Sequence, residues 1–394
     1  MKCLLCHQDK AVEFLNLGEQ PLANKYPATE DSFETEDFSP LAVFFCPDCK
    51  NVQLGTIVSR ERMFEDYYYL SSVNPGLVRH FEEMAKKFAK SNFVVDIGSN
   101  DGILLKPLKE MGVMAIGVDP SINVSKIAND AGLETLVSFF DQKTAEMIKR
   151  QYGRPDVVVA SSIFTHLEDP HQFIEAVKDL MTEDSEFIIE VEYIGNILEA
   201  VQFERFYLDR IFYYSLTSLK HLFEAHDMHI TDAEKIEPHG GSIRVTIHKN
   251  GCGPTPSDRV INLLLEEDGS LHFSRLEEFK ENVRNYISAF RDKLMEYKKL
   301  GLKVAGYGAP ARVATITNFG EIGPSLIDFI VDDSPLKQNR FSPGTHIPIV
   351  PNEFLKENKP DVLVVFAYEY FDDIKKKTGS DYRYLIAIPP REVI

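Results

Sequence analysis

VVDIGSNDG, Val94 to Gly102, is the stretch whose reading decides the fold. An apolar segment of strand length, FVVDIG from Phe93, runs directly into a glycine turn. A helical segment, GILLKPLKEMG, begins on the second glycine. Gly98 and Gly102 let the backbone approach a ligand closely and leave amide N–H groups free at the start of a helix. The spacing is not G-x-G-x-x-G, so a dinucleotide is not the first expectation. Downstream, VMAIGVD ends on Asp119, where an acid at the tip of a second strand is placed to accept hydrogen bonds from ribose hydroxyls. The alternation continues with SINVSKIANDAG (helix), DVVVASSIF (strand), DPHQFIEAVKDLM (helix) and SEFIIEVEY (strand). Strands alternating with helices predict a parallel, doubly wound α/β sheet.

Working outward, the spacing predicts three regions: 1–74, 75–250 and 251–394. The first carries Cys3, Cys6, Cys46 and Cys49, two C-x2-C pairs separated by a loop-rich stretch. Each pair turns two thiolates to one side of a tight bend, so two pairs complete a tetrahedral zinc shell with no position left for water. The site is therefore expected to be structural, a staple for a segment with few aliphatic residues of its own. Cys252 reads as a small side chain in a Gly-rich turn. The third region opens with a long amphipathic helix, LEEFKENVRNYISAFRDKLMEYKKLG, and then repeats the strand–helix logic in KVAGYGAPARVATI, LIDFIVDD and DVLVVFAYEY. It is read as a second, smaller Rossmann-like domain whose turn carries Gly306 and Gly308.

The chain has 394 residues and a formal charge of −18. That average field repels a phosphate polymer, so nucleic acid is not an expected partner, whereas one small phosphorylated ligand in a local basic pocket is compatible with it. The apolar runs fall short of the ~20 residues a bilayer requires. The start, MKCLLCHQDK, has no basic segment followed by an apolar block, so a cytoplasmic protein is expected. Without coiled-coil heptads, a monomer or weak homodimer is expected.

The glycine turn and Asp119 together resemble the first two motifs of class I S-adenosylmethionine methyltransferases. The resemblance then widens. LGEQPLAN, CPDCKNVQLG and YYYLSS in the first region, DIGSNDG, FTHLEDPHQF, SLTSLKHLF and HGGSIRV in the second, and GYGAPAR and DDSPLKQNRFSPGTHIPI in the third resemble the sugar C-methyltransferase family. Members of that family methylate nucleotide-linked 4-keto sugars and have a zinc-binding N-terminal domain, a central methyltransferase domain and a C-terminal Rossmann-like domain. The resemblance implies that Asp96, Gly98, Asn100, Asp101 and Gly102 lie against the methionine and ribose of the cofactor. It further implies that Asp119 binds the ribose and that Phe140, in SFFDQ, flanks the adenine, with Ser162 completing the set. The chemistry implied is removal of the proton beside a ketone, followed by attack of the enolate carbon on the sulfonium methyl.

The sequence departs from the family where that chemistry is carried. Tyr-His-Glu-His becomes Tyr207, Leu208, Asp209 and Arg210; an expected Asn becomes Ser162; and AWN becomes Ala367, Tyr368 and Glu369. A guanidinium does not release its proton in proteins, so Arg210 cannot be the base. It either contacts an anionic group of the acceptor or pairs with Asp209 or Glu204. The base candidates that remain are His166, Tyr207 and His239; the two histidines have plain alternatives as a loop and a turn residue, and Tyr207 reads as acid, base or hydrogen-bond donor to the enolate, a phenol that would need activation to serve as base. Tyr67 and Tyr69 read either as packing or as a cover for the acceptor sugar. Lys337 and Arg340 offer cations to a pyrophosphate, or form a solvated positive edge. The departures also leave open an O- or N-methyltransferase on another phosphorylated acceptor, and a scaffold that binds the cofactor without catalysis.

Overall fold

The computed structural model describes residues 1–59, 70–379 and 381–393, apart from the His239 side chain. Tyr67 and Tyr69 lie outside the described residues.

The central sheet has seven strands in the order β10-β11-β8-β7-β4-β5-β6. β4 is Phe93–Ile97, β5 Met114–Asp119, β6 Thr135–Val137, β7 Val157–Ser161, β8 Glu186–Glu192, β10 Met228–Ile236 and β11 Ser242–Lys249. The first five of these pair in parallel, while β11 runs antiparallel to both β8 and β10. β4 is buried along its whole length, which is why its sequence is apolar on both faces rather than alternating, apart from Asp96 near its carboxyl end. The chain moves from β4 outward to β5 and β6, then returns on the other side to β7. That reversal opens a crevice at the carboxyl ends of β4 and β7, where such sheets bind their ligands. The covering helices start on side-chain caps: Asn74 accepts from the Gly76 and Leu77 amides, Asp141 from Thr144 and Asp169 from His171.

The first sheet has the order β1-β2-β3-β9. β1 is Val12–Pro21, β2 Phe38–Phe45 and β3 Val52–Leu54. Its fourth strand comes from far along the chain: β9, Phe212–Tyr213, pairs Val52 with Tyr213 and Gln53 with Phe212. The third sheet again has seven strands, in the order β14-β15-β13-β12-β16-β17-β18. β12 is Val304–Tyr307, β13 Ile330–Val331, β14 Arg340–Phe341, β15 Pro348–Val350, β16 Val362–Val365, β17 Arg383–Ile386 and β18 Arg391–Val393. It reverses at β12, with β13 on one side and β16 on the other.

The long amphipathic segment forms the helix Phe273–Lys299, preceded by a second helix, Asp258–Ser270. The long helix buries Leu276, Phe279, Val283, Phe290 and Leu294 in one continuous core that also holds Phe14, Val43 and Phe206 and, from the third sheet, Val304 and Val364. The cysteine knuckles share a different core with the central sheet, where Cys3, Cys46 and Cys49 lie among Phe164, Ile211 and Phe212. Among the described residues, no helix is long and apolar enough to cross a membrane.

Candidate functional site

The two cysteine knuckles are built alike. Cys3 N–H donates to Gln8 O and Cys46 N–H to Asn51 O, both at 2.9 Å. The residue after each second cysteine, His7 or Lys50, adopts a left-handed conformation with φ of 60° and 58°. The result brings all four sulfurs within 4.8 Å of one another, with Cys3–Cys49 and Cys6–Cys46 at 3.6 Å. Zinc–sulfur bonds of about 2.3 Å in a tetrahedron require sulfur–sulfur edges of about 3.8 Å, so the four thiols fit the ion. The Cys49 thiol holds Cys3 down to about 5, while the same hydrogen bond and burial raise Cys49 and burial pushes Cys6 up to about 11. Buried and saturated by four protein ligands, this is a structural zinc site.

A cavity of about 1610 Å³ opens at the reversal of the central sheet and extends to the third. Ordinary small-molecule pockets are roughly 300–1,000 Å³, so this one has room for a cofactor and an acceptor together. At its cofactor end Gly98 takes φ +80° and donates to Val118 O at 2.7 Å. A Cβ there would sit 2.1 Å from Ile163 Cγ2, which leaves glycine as the residue that fits. Asp119 accepts from the Asn100 amide at 3.0 Å and the Ser121 amide at 2.9 Å, which fixes its carboxylate at the strand tip. Asp96, Gly98, Asn100, Asp119, Phe140 and Ser162 line the cavity, whereas Asp101 and Gly102 do not. Asp101 instead accepts from the Ser72 amide and hydroxyl, and the Asn100 side chain accepts from the Ser71 amide. These two residues tie down the segment that enters the central region.

The third sheet repeats this cradle. Gly308 takes φ +83° and donates to Val331 O at 2.7 Å. Asp332, one residue beyond β13, accepts from the Ala309 amide at 2.6 Å and the Ser334 amide at 2.8 Å. A Cβ on Gly308 would meet Ala367 at 2.7 Å.

Of the predicted acceptor-side residues, His166, Tyr207, Arg210 and Lys337 line the cavity, whereas Asp209 and Arg340 do not. His166 ends a short 3-10 helix after β7, and its Nδ1 faces the Asp209 carbonyl in a short hydrogen bond. A carbonyl only accepts, so Nδ1 carries a proton. Tyr207 also lines the cavity, and burial pushes its phenol well above the ordinary value. The Arg210 guanidinium lies over the Tyr207 ring, 4.7 Å from its centre. It forms a buried ion pair with Glu192 at the end of β8, and its charge also favours the Asp209 carboxylate. Asp209 accepts from Asn24 Nδ2 at 2.7 Å, and Glu204 accepts from the Tyr368 hydroxyl. Those two acids are engaged with the first and third regions, and spacing along the chain could not show it. Leu208 points away into the apolar core. His239 falls in the turn Pro238–Gly240, with its side chain outside the described residues.

Lys337 lines the cavity, with Nζ donating to Ala309 O at 2.9 Å. Arg340 does not line it; its Nη1 donates to Tyr26 O at 3.1 Å and holds the first region against β14. Sequence reasoning missed Glu192, Arg205, Arg312 and the role of Glu369, which meets both of those arginines at the cavity wall. The signal available was the departure at Ala367–Glu369 and the arginine of GYGAPAR. Also missed was Glu190, buried on β8, which accepts from Ser161 Oγ at 2.6 Å and Arg244 Nε at 2.8 Å and faces His80 Nε2 at 2.9 Å.

Comparison with known proteins accords with this arrangement. Residues 3–64 match a putative zinc binding domain, 69–232 a methyltransferase domain and 237–389 a C-methyltransferase C-terminal domain. The chain is 28% identical to the C-methyltransferase NovU of Streptomyces niveus, over 100% of this chain and 96% of that one. It is 30% identical to a ubiquinone biosynthesis O-methyltransferase of Azorhizobium caulinodans, over 30% of this chain and 49% of that one. Among solved structures, a magnesium protoporphyrin IX methyltransferase of Synechocystis with bound SAH aligns with a TM-score of 0.36 at 15% identity, covering 44% of this chain and 84% of that one. A likeness of that size carries no argument.

Proposed function

We propose that this chain, an S-adenosylmethionine-dependent methyltransferase that belongs to the C-methyltransferase family, methylates the carbon beside the ketone of a nucleotide-linked sugar. The observation that carries this reading is the single cavity lined by Gly98 and Asp119 at one end, His166 and Tyr207 in the middle, and Arg312 and Lys337 at the other. The glycine cradle with Asp119 at its strand tip suits a nucleoside at that end; at the other, Pro310, Ala311 and Arg312, which follow the Gly308 turn, line the cavity.

When bound, the cofactor would supply an electrophilic methyl on a sulfonium whose sulfur would keep the electron pair of the sulfur–carbon bond. In this reading Asp96, Gly98, Asn100, Asp119, Phe140 and Ser162 hold that donor. His166 Nε2 takes the proton from the sugar carbon next to the carbonyl, and the Asp209 carbonyl keeps the imidazole in the tautomer this requires. Tyr207, its phenol kept protonated by burial, donates to the developing enolate oxygen. Arg210 and Glu192 replace a second base with a neutral ion pair that holds the Tyr207 ring in place. The domain division 1–74, 75–250 and 251–394 belongs to this proposal, with the last region taking the nucleotide.

The test is the product. Incubation with nucleoside diphosphate 4-keto sugars and 13C-methyl-labelled cofactor is expected to give a methyl carbon with a direct carbon–carbon coupling in the NMR spectrum. An O-methyl signal alone would move the reading to a hydroxyl acceptor, for which His166 would serve equally as base.

Asp96 supplies a second test. Burial, with the charges of Asp119 and Glu190 nearby, raises its carboxyl to about 8, so at pH 7 the apo protein holds this proton. An unfolded chain would not, so this group's contribution to apo stability falls as pH rises from about 4 to about 8. A cationic donor beside it favours the carboxylate. Calorimetry at pH 7 in buffers of different ionisation enthalpy is expected to show up to one proton released per cofactor bound, and Asp96→Asn to release none. A binding heat that does not vary with buffer in the wild type would remove Asp96 from the donor site.

A further inference from the structure

Three charged side chains close the cavity wall where the central and third regions meet. Arg205 ends the 3-10 helix Phe203–Arg205, Arg312 begins the helix Arg312–Phe319, and Glu369 lies in the 3-10 helix Tyr368–Tyr370. Arg312 donates Nη1 to Glu369 Oε1 at 2.5 Å and Nη2 to Oε2, a two-pronged bond, while Arg205 Nη2 reaches the same Oε1. The arginine side chains are 8% and 10% exposed and Glu369 is 24% exposed, so the carboxylate is the more open member. All three line the cavity, as does Lys337. The Nε atoms of both arginines are buried and make no hydrogen bond in the structure. Burial works to raise Glu369, but the two guanidinium groups hold it down to about 2, a permanently ionised group. Two arginine forks and a lysine face Glu369 here, and the buried Glu204 carboxyl, bonded to the Tyr368 hydroxyl, also lies in the field of both arginines, so this wall of an otherwise acidic protein carries three cations beside two carboxyl groups.

A guanidinium fork receives a carboxylate and a phosphate with the same geometry. We propose that Arg205 and Arg312 form the site for a phosphate group of the acceptor, and that Glu369 is a resident anion occupying it until that phosphate enters. The proposal rests on the nucleotide-linked acceptor inferred above and locates its diphosphate. The carboxylate keeps two buried cations compensated while the site is empty of acceptor, since uncompensated buried charge is strongly unfavourable. It also sets a threshold: an acceptor lacking phosphate has nothing with which to displace it.

The experiment is calorimetric titration of inorganic diphosphate into the full-length protein, its Glu369→Gln variant and its Arg312→Gln variant, with S-adenosylmethionine affinity measured on each as a check of the fold. Removing the competing like charge is expected to tighten diphosphate binding by about tenfold or more in Glu369→Gln. Losing the fork is expected to weaken it by a similar factor in Arg312→Gln, and cofactor affinity stays level in both. Unchanged or weaker diphosphate binding in Glu369→Gln, or wild-type affinity in a folded Arg312→Gln, would overturn the proposal and leave a purely structural bridge. Should Arg312→Gln lose cofactor binding, Glu369→Gln decides alone. The expected affinities without methylation of any nucleotide sugar would instead sink the acceptor reading and leave the phosphate site standing.

Discussion

Replacing His166 with Ala is expected to lower kcat by about a thousandfold while leaving the affinity for S-adenosylmethionine unchanged. A positioned general base contributes roughly 10²–10⁴ to the rate. This chain has few substitutes: Arg210 cannot deprotonate, Leu208 is buried in the core, and burial pushes the Tyr207 phenol up rather than down. His166 combines a place on the cavity wall with an imidazole whose tautomer the Asp209 carbonyl fixes. The measurement is single-turnover methyl transfer beside a separate cofactor titration. A fall of less than threefold would show that His166 does not move the proton, and the search for a base would pass to His239.

The second large effect is expected at the metal. Cys46→Ser should release one equivalent of zinc and abolish activity, although Cys46 does not line the cavity. Structural zinc contributes on the order of 10 kcal/mol to small zinc modules, comparable with the ~5–15 kcal/mol net stability of a whole protein. What the metal holds here is shared. β3 follows the second knuckle immediately and pairs with β9, which begins two residues after Arg210. The knuckles also contribute to the core beneath Phe164 and Ile211. Hydrogen exchange is expected to lose protection in residues 1–59 and around 206–214 while β4, β5 and β7 stay protected. Native protection around 206–214 in the metal-free variant would refute the coupling.

What could be read from the chain and what could not divide along sequence distance. The glycine turn, Asp119 and the four cysteines were legible because each works through its near neighbours: a turn, a strand tip, a knuckle. The segment Tyr207–Arg210 was legible as a departure but not as a structure. Arg210 finds Glu192 on a neighbouring strand, and Asp209 finds Asn24 185 residues away. No periodicity encodes such pairings. The two-residue strands β9 and β14 were equally hidden, since two residues carry no alternation to detect. Asp101 was placed with the cofactor by its motif, whereas the fold spends it on the Ser72 backbone.

The strand that completes the first sheet has a temporal consequence. Val52 and Gln53 wait for Phe212 and Tyr213, about 160 residues later in the chain. At translation speeds of roughly 5–20 residues per second, the ribosome needs on the order of ten to thirty seconds to deliver that partner. Throughout that interval the newborn amino-terminal segment carries an unsatisfied strand edge, whose natural guardian is whatever chaperone meets the nascent chain.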